Sequence, residues 1–422
     1  MLGLLAIVVA GGYLREHGGL DLESGSNDLM TAMLVVLGFV LAVAFAVLGP
    51  GTRHARGSRP VSIVWTLAVL AALLFTWHVI IVSHRWEGYV GTLVTSPQEV
   101  DAFIADHPDS FAAYEYRVPT GIFLQSFEFL NSNNVKMSGF IWQTYGPEIP
   151  EHIQRGIVLP EADEAYEAAE VWRIEKDGTE QIGWYFSGEF RQNFDYRLYP
   201  FDRQDIWLRL WPLESIEGVV LVPDFGAYRD LTPSTLPGLD SRFVFGGWDP
   251  MSSEFSYDLI DYNTDFGLGY GAAGPLDPEL YFNLSVARDF LGPMLEHLVL
   301  EVAIAILLFF LLVLMAHDTD IEDRVGLTIF DLIVAAGGLL FAVILDHNAI
   351  RNVVESQDLM YLEWVPLILD IFIVLVVLTA VLRVKRWRIP IFGYSGDLVP
   401  VVAYWPALLG SILAVTLLVF FY

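Results

Sequence analysis

Hydrophobic positions follow two different patterns along the chain. Long, predominantly apolar stretches stand at Leu29–Leu48, Val61–Val82, Gly292–Ala316, Val325–Leu345, Trp364–Leu382 and Leu398–Tyr422. Each is long enough to cross a hydrocarbon layer of about 30 Å as a helix. A seventh stretch, Leu2–Leu14, is shorter and reads as a partial span. It lacks a basic flank before it and a small-residue cleavage site after it, so it makes a poor signal peptide. Between the second and third long stretches the pattern changes to alternation. Val118–Phe129, Val135–Tyr145, Ala169–Ile174, Gln181–Phe194, Asp205–Leu210, Val219–Val222, Glu254–Asp261 and Leu280–Arg288 predict strands. Asn131–Asn134 and Lys176-Asp177-Gly178 are turn signals. That many short strands without a long helical pattern predict an antiparallel β-sandwich. Pro97–Phe111 predicts a helix, with Thr95 or Ser96 as cap and Pro97 in its first position. The chain therefore divides into N-terminal transmembrane helices (1–83), a linker with a helical segment (84–115), a sandwich (116–290) and a four-helix transmembrane block (291–422).

Charge sets the orientation. Loop 50–60 carries Arg53, Arg56 and Arg59, and loop 383–388 carries Arg383, Lys385, Arg386 and Arg388; neither holds an acid. These loops contain seven of the 23 basic residues, which marks both as cytoplasmic. Four spans separate them, so both can lie on one side, and the sandwich is then extracytoplasmic in a multi-pass cell membrane protein. Loop 317–323 is acidic and would also be cytoplasmic, a mild tension because acids contribute little to orientation.

Composition narrows the function. Apolar residues make up 54% of the 422 positions and charged ones 18%, outside the range of a purely soluble domain. The formal net charge is −28, and residues 83–290 alone hold 34 acids against 13 bases. A broad basic surface for nucleic acid is thereby excluded. There is no cysteine, which removes disulfides, thiolate catalysis and Cys-ligated metals. Only three of the basic residues are lysines. An acidic, lysine-poor surface fits a salt-adapted organism, although a codon bias towards arginine gives the same count. The acidic run Glu161, Asp163, Glu164, Glu167 and Glu170 lacks the ligand spacing of an EF-hand and reads as a solvated face. No phosphate-binding loop, zinc-protease motif or nucleophile elbow is present, so neither an enzyme nor a cofactor is expected.

One run is more specific. Residues 195–204 read Asp195-Tyr196-Arg197-Leu198-Tyr199-Pro200-Phe201-Asp202-Arg203-Gln204. This Tyr-Pro-Phe-Asp-x-Gln loop after a strand resembles that of the pentameric ligand-gated ion channels, the Cys-loop receptor superfamily. Thr120-Gly121-Ile122-Phe123 with Val135–Trp142 resembles the family's first two strands. Asp177-Gly178-Thr179 with Phe186–Phe194 resembles the strands leading into the loop, and Phe245-Gly246-Gly247-Trp248-Asp249 a stretch of its bacterial members. Arg288 precedes the four-span block, as an arginine does in the family. The resemblance covers roughly Tyr116–Tyr422. The loop lacks its two cysteines, as in bacterial members. The Leu-Pro after the second channel helix is replaced by Leu345-Asp346-His347-Asn348, and the spans before Ser83 lie outside the family pattern.

The resemblance implies roles. Tyr199, Pro200, Phe201, Asp202, Arg203 and Arg288 would couple the sandwich to the pore, with Arg288 as partner of Asp202. The span Val325–Leu345 would line the pore. Steps of three and four residues from Asp323 place Gly326, Phe330, Ile333, Gly337, Leu340 and Ile344 on one helical face, with Glu322 and Asp323 at its cytoplasmic mouth. Carboxylates at its mouth favour cations, and the apolar rings can gate by dewetting. Asp331, one residue off this face, reads as a mid-span carboxylate needing a partner, with Glu296, His297, Glu301, Glu363 and Asp370 as possible neighbours. Trp142, Trp211 and Tyr270 are candidate ligand-binding aromatics, where a cationic amine can meet a ring face; core packing is the alternative for each. The expectation is a ligand- or proton-gated homopentamer embedded in membrane lipid and passing permeant cations. The alternative is a non-conducting sensor or assembly subunit whose N-terminal helices contact another membrane protein.

Overall fold

The computed structural model describes residues 58–83, 90–163, 166–213, 218–240, 242, 245–264, 276–317, 328–354, 358–384 and 398–421. The described chain forms two compact units. A sheet unit holds 90–196 and 202–289, and a helical unit holds 58–83, 197–201 and 290–421.

The sheet unit consists of two five-stranded sheets in a sandwich-like arrangement. In chain order the strands are β1 (Thr92–Val94), β2 (Tyr116–Asn131), β3 (Asn134–Tyr145), β4 (Ile157–Val158), β5 (Glu167–Lys176), β6 (Thr179–Arg191), β7 (Arg203–Pro212), β8 (Val219–Pro223), β9 (Trp248–Ile260) and β10 (Asp277–Arg288). The first sheet runs β1-β9-β10-β7-β4 and the second β5-β6-β3-β2-β8. All neighbours are antiparallel except β2 and β8. Period-two patterning explains the layers. In β3, Val135, Met137 and Ile141 are buried while Lys136 is exposed, and in β7 Ile206, Leu208 and Leu210 are buried. The β2–β3 turn is closed by Asn131, whose side chain accepts from the Asn133 N–H at 2.9 Å. All eight predicted strands are present, mostly longer than expected; the prediction Gln181–Phe194 overruns, because β6 ends at Arg191, and Glu254–Asp261 by one residue, because β9 ends at Ile260. The edge strands β1 and β4, three and two residues long, carry too little pattern to be read from sequence.

The predicted helix over 97–111 is two helices, α2 (Pro97–Asp106) and α3 (Pro108–Phe111). Pro108 disfavours helical backbone at His107, where the first helix ends. Ser96 is the cap of α2 and accepts from the Glu99 N–H.

The helical unit contains α1 (Ser58–Ser83), α4 (Leu291–His317), α5 (Ile329–Val354), α6 (Trp364–Val384) and α7 (Leu398–Phe421). All five are long and apolar enough to cross a membrane. They bury Leu308, Val343, Leu369 and Leu408 together, yet leave Val299, Phe310, Phe341 and Leu418 exposed. Helices apolar on both sides belong in lipid. The helix α1, outside the four-span block, packs along α7. Its Trp77 Nε1 donates to the Tyr361 hydroxyl at 2.8 Å, which also bonds Thr416 of α7. The predicted stretches Leu2–Leu14 and Leu29–Leu48 lie outside the described residues.

Two expectations on α5 need correction. The helix does not end near Leu345 but continues through Asp346-His347-Asn348 to Val354. Asp331 is not a mid-span carboxylate. It stands in the first turn, exposed, and accepts from the Thr328 N–H at 2.8 Å while Thr328 Oγ1 accepts from the Asp331 N–H at 3.2 Å. This reciprocal pair is an N-terminal capping box with aspartate in place of glutamate.

Candidate functional site

The loop between β6 and β7 changes unit twice. The chain leaves the sheet unit after Tyr196, spends residues 197–201 in the helical unit and returns at Asp202. Within the sheet unit the two strands of the loop are tied by Gln204, whose amide accepts from the Asp195 N–H at 3.2 Å and donates to the Asp195 carbonyl at 2.8 Å. Gln204 Nε2 also donates to Asp202 Oδ2 at 2.9 Å.

Asp202 receives Arg288 through both oxygens, Nε to Oδ1 at 2.6 Å and Nη2 to Oδ2 at 3.0 Å. Register brings the pair together: β7 and β10 align Arg203 with Ala287, and the Arg288 N–H continues the ladder to the Asp202 carbonyl at 3.2 Å. The guanidinium lies 4.1 Å from the Trp248 ring centroid and 5.7 Å from that of Tyr196. A fork-shaped donor on a planar carboxylate, with two rings against it, is held rigidly. Trp248 is the residue of this junction that the sequence reading left without a role.

Within the helical unit, the loop tip is bonded through its backbone. The Tyr361 N–H donates to the Arg197 carbonyl at 2.8 Å, and the Leu362 N–H to the Tyr199 carbonyl at 3.1 Å. Tyr199 and Pro200 are buried, and the peptide between them is cis. Phe201 packs among Phe290, Tyr361 and Phe420 at centroid distances of 5.4, 6.0 and 5.8 Å. The short helical turn Tyr361–Glu363, just before α6, is therefore the receiver of the loop. Arg203, the remaining predicted coupling residue, opens β7.

Beside that turn charges gather on the buried Glu363. Glu363 takes His347 Nε2 at 3.0 Å, Arg351 Nε at 3.1 Å and the Met360 N–H at 2.8 Å. His297 of α4 bonds Asp346 of α5 at 2.9 Å, while both Glu301 oxygens are buried without a hydrogen-bond partner. Asp331, the expected neighbour of Glu296, His297, Glu301, Glu363 and Asp370, caps the start of α5. The extension of α5 instead brings Asp346 to His297 and His347 to Glu363.

On α5, the stripe Leu332, Ala336, Val343 and Ile350 is buried in the helical core. Of the predicted pore face, Phe330, Gly337 and Ile344 are exposed, Phe330 at 71%, and Ile333 is half-buried. Leu340 packs against the core, so the face opposite the stripe is shifted towards Val334, Phe341 and Leu345. Glu322, Asp323 and Gly326 lie outside the described residues, as does Tyr270.

The two remaining ligand candidates are on different sheets and already engaged. Trp211 Nε1 donates to Glu279 Oε1 at 2.7 Å, and the Arg209 guanidinium sits 5.1 Å from its ring centroid. Glu279 also accepts from Tyr262, from Tyr281 at 3.0 Å and from Arg209 at 3.4 Å. Arg209 pairs further with Glu161, whose carboxyl burial pushes above its ordinary range against the pull of that arginine. Glu161 is thus no solvated member of an acidic run. The cation–ring contact expected of a ligand at Trp211 is made by the chain's own Arg209.

Trp142 donates to Asp224 Oδ2 at 2.9 Å and lies against Tyr228 at 5.8 Å. It belongs to a row across the second sheet, in register: Trp172, Gly183, Trp142, Gly121. A Cβ on Gly121 would stand 2.2 Å from the Trp142 indole, and one on Gly183 2.0 Å from that of Trp172. Each indole thus lies over a glycine, a device that Gly/Trp spacing on separate strands does not reveal before the register is known.

No protein-family model matches the chain, and no curated protein matches it.

Proposed function

We propose that the protein is a ligand- or proton-gated, cation-selective channel of the pentameric ligand-gated type, with the sheet unit outside the cell membrane. The observation that carries this reading is the route of residues 195–204. A loop joining two strands of the sheet unit is locked at its base by Asp202, Gln204 and Arg288, and its tip is bonded within the helical unit to the turn that starts α6. A rearrangement of the sheets is thereby transmitted by covalent continuity to the spans, and such a two-state change is what a gating ligand biases. Five copies with α5 around an axis would put its core-opposed apolar face on the pathway and the Glu322–Asp323 carboxylates at its mouth. The sandwich cluster around Trp211 and Glu279 is the proposed ligand region, where a cationic amine would compete with Arg209.

Recordings from purified full-length protein in planar bilayers test this. Expected is a current, evoked by acidification or an added amine, whose reversal potential in asymmetric salt follows the cation gradient. Glu322→Gln with Asp323→Asn is expected to move that potential towards zero. An unchanged cation preference would place selectivity elsewhere, and silence under every pH and amine tried would favour the non-conducting sensor.

A further inference from the structure

On the face of the first sheet directed away from the sandwich core, one carboxylate has no counterpart. Glu254 of β9 stands in register with Asn283 of β10, and two positions along Ser252 stands opposite Ser285, itself opposite Asp205 of β7. Phe255 and Tyr257 take the core face, so Ser252, Glu254 and Ser256 share the other. Glu254 is 2% exposed and Asn283 wholly buried.

The side-chain donors of Asn283, Ser256 and Ser285 bond elsewhere. Asn283 Nδ2 donates to Ser256 Oγ at 2.8 Å, Ser256 Oγ to the Val90 carbonyl, and Ser285 Oγ to Asp205. Three buried acceptors remain without a hydrogen bond: both Glu254 oxygens and Asn283 Oδ1. The Ser252 hydroxyl on the same face is near enough to favour the charged carboxylate, but it falls outside hydrogen-bond geometry. Among charged groups, Arg203, Asp205 and Arg209 of β7, Glu279 of β10 and Asp258 of β9 share this face by alternation. Arg209 and Glu279 are paired with each other, and the charge that bears on Glu254 is Asp205, of like sign. The adjoining strand β1 contributes Leu93 opposite Ser256, which is uncharged.

A bare carboxylate in such a place is costly. A proton resolves most of it, leaving only the second Glu254 oxygen unbonded. It removes the charge and turns one orphan acceptor into a donor. Directly opposite residues have Cβ atoms about 4.5–5.5 Å apart, within reach of a glutamate side chain. We propose that Glu254 is a proton-binding site of the sheet unit, whose neutral carboxyl donates to Asn283 Oδ1 and whose ionisation loosens this sheet face. Burial, against the pull of the Ser252 hydroxyl and helped by Asp205, pushes the carboxyl up to about 7, so the site empties around neutrality. The inference stands apart from the channel reading, because it concerns proton binding and not conduction.

The sign follows from linkage. A carboxyl that holds its proton more tightly folded than unfolded gives its full stabilisation below the ordinary carboxyl range, and loses it as pH rises towards about 7. The test is the unfolding temperature of full-length protein in detergent across this window, for wild type, Glu254→Gln and Glu254→Met. Both variants are neutral at every pH, and glutamine keeps a donor for Asn283. Expected is a fall in the wild type with rising pH that both variants lack, together with loss from Glu254→Gln of a protonated-carboxyl infrared band that titrates in the wild type. A wild-type slope retained in either variant, or an identical infrared titration in Glu254→Gln, overturns the proposal.

Discussion

Asp202 illustrates how much one side chain can hold at a junction. It is 1% exposed at its side chain, and its partners are Arg288 on both oxygens and Gln204 on one. Neither charge is solvated well enough to stand alone. Removing one partner of a buried pair leaves the other uncompensated, at a cost of about 3–5 kcal/mol. Asp202→Asn and Arg288→Gln are therefore each expected to destabilise the folded protein by roughly that amount, measured by denaturant unfolding. The double variant is expected to cost much less than the sum, because the second substitution removes the orphan that the first creates. Strict additivity would mean that the rings of Trp248 and Tyr196, not the carboxylate, hold the guanidinium. The Asp202–Arg288 partnership was legible because both residues sit in recognisable stretches. The Trp248 ring beneath the arginine was not, since a contact across the β9–β10 ladder depends on register, and register is shifted by a bulge between Ser285 and Val286.

Elements were read more surely than their edges. Alternation over eight or more residues found β2, β3 and β6, where a slip of one residue would expose a buried face, while β10 is buried on both faces over Glu279–Val286. The short edges β1 and β4 have no such pattern. For α5 the apolar run was clear, but its start is set by the Thr328–Asp331 cap and its polar end is stabilised by partners on other helices, His297 and Glu363. Sequence hydropathy sees neither. The same limit hid the tryptophan–glycine row. Given that row, Gly121→Ala is expected to push the Trp142 indole off its seat and weaken the bond to Asp224, costing about 1–3 kcal/mol as overpacking does. A red-shifted tryptophan emission with lowered unfolding stability checks it; an alanine accepted without either change would mean that the indole has room to turn. Gly183→Ala is the matched control, acting through Trp172 and leaving the Trp142–Asp224 bond in place.

At the scale of the whole molecule, charge is the feature that packing does not explain. Residues 83–290 carry a net of −21. Arginines of this region are already committed, among them Arg117 to Asp101, Arg155 to Glu180, Arg173 to Glu170 and Glu180, Arg209 to Glu161 and Glu279, and Arg288 to Asp202. The remaining acids are left to repel one another through solvent, which opposes the compact state. Screening relieves this. The Debye length is about 30 Å at 0.01 M salt and about 3 Å at 1 M, so repulsion across the sheet unit is felt at the first and cancelled at the second. Unfolding temperature is therefore expected to rise with sodium chloride, and to do so mainly below roughly 0.2 M, where the Debye length falls under typical spacings between surface charges. Strengthened burial of apolar surface by excluded cosolutes has a different form, because it continues to grow at high concentration and is matched by sucrose. A salt series set against a sucrose series separates the two. A steep early rise in salt that sucrose does not reproduce is the result expected if the acidic surface, with its few lysines, is an adaptation to salt. A shallow rise that sucrose matches would mean instead that the surplus carboxylates are spaced widely enough to ignore one another, and that the arginine excess reflects codon usage alone.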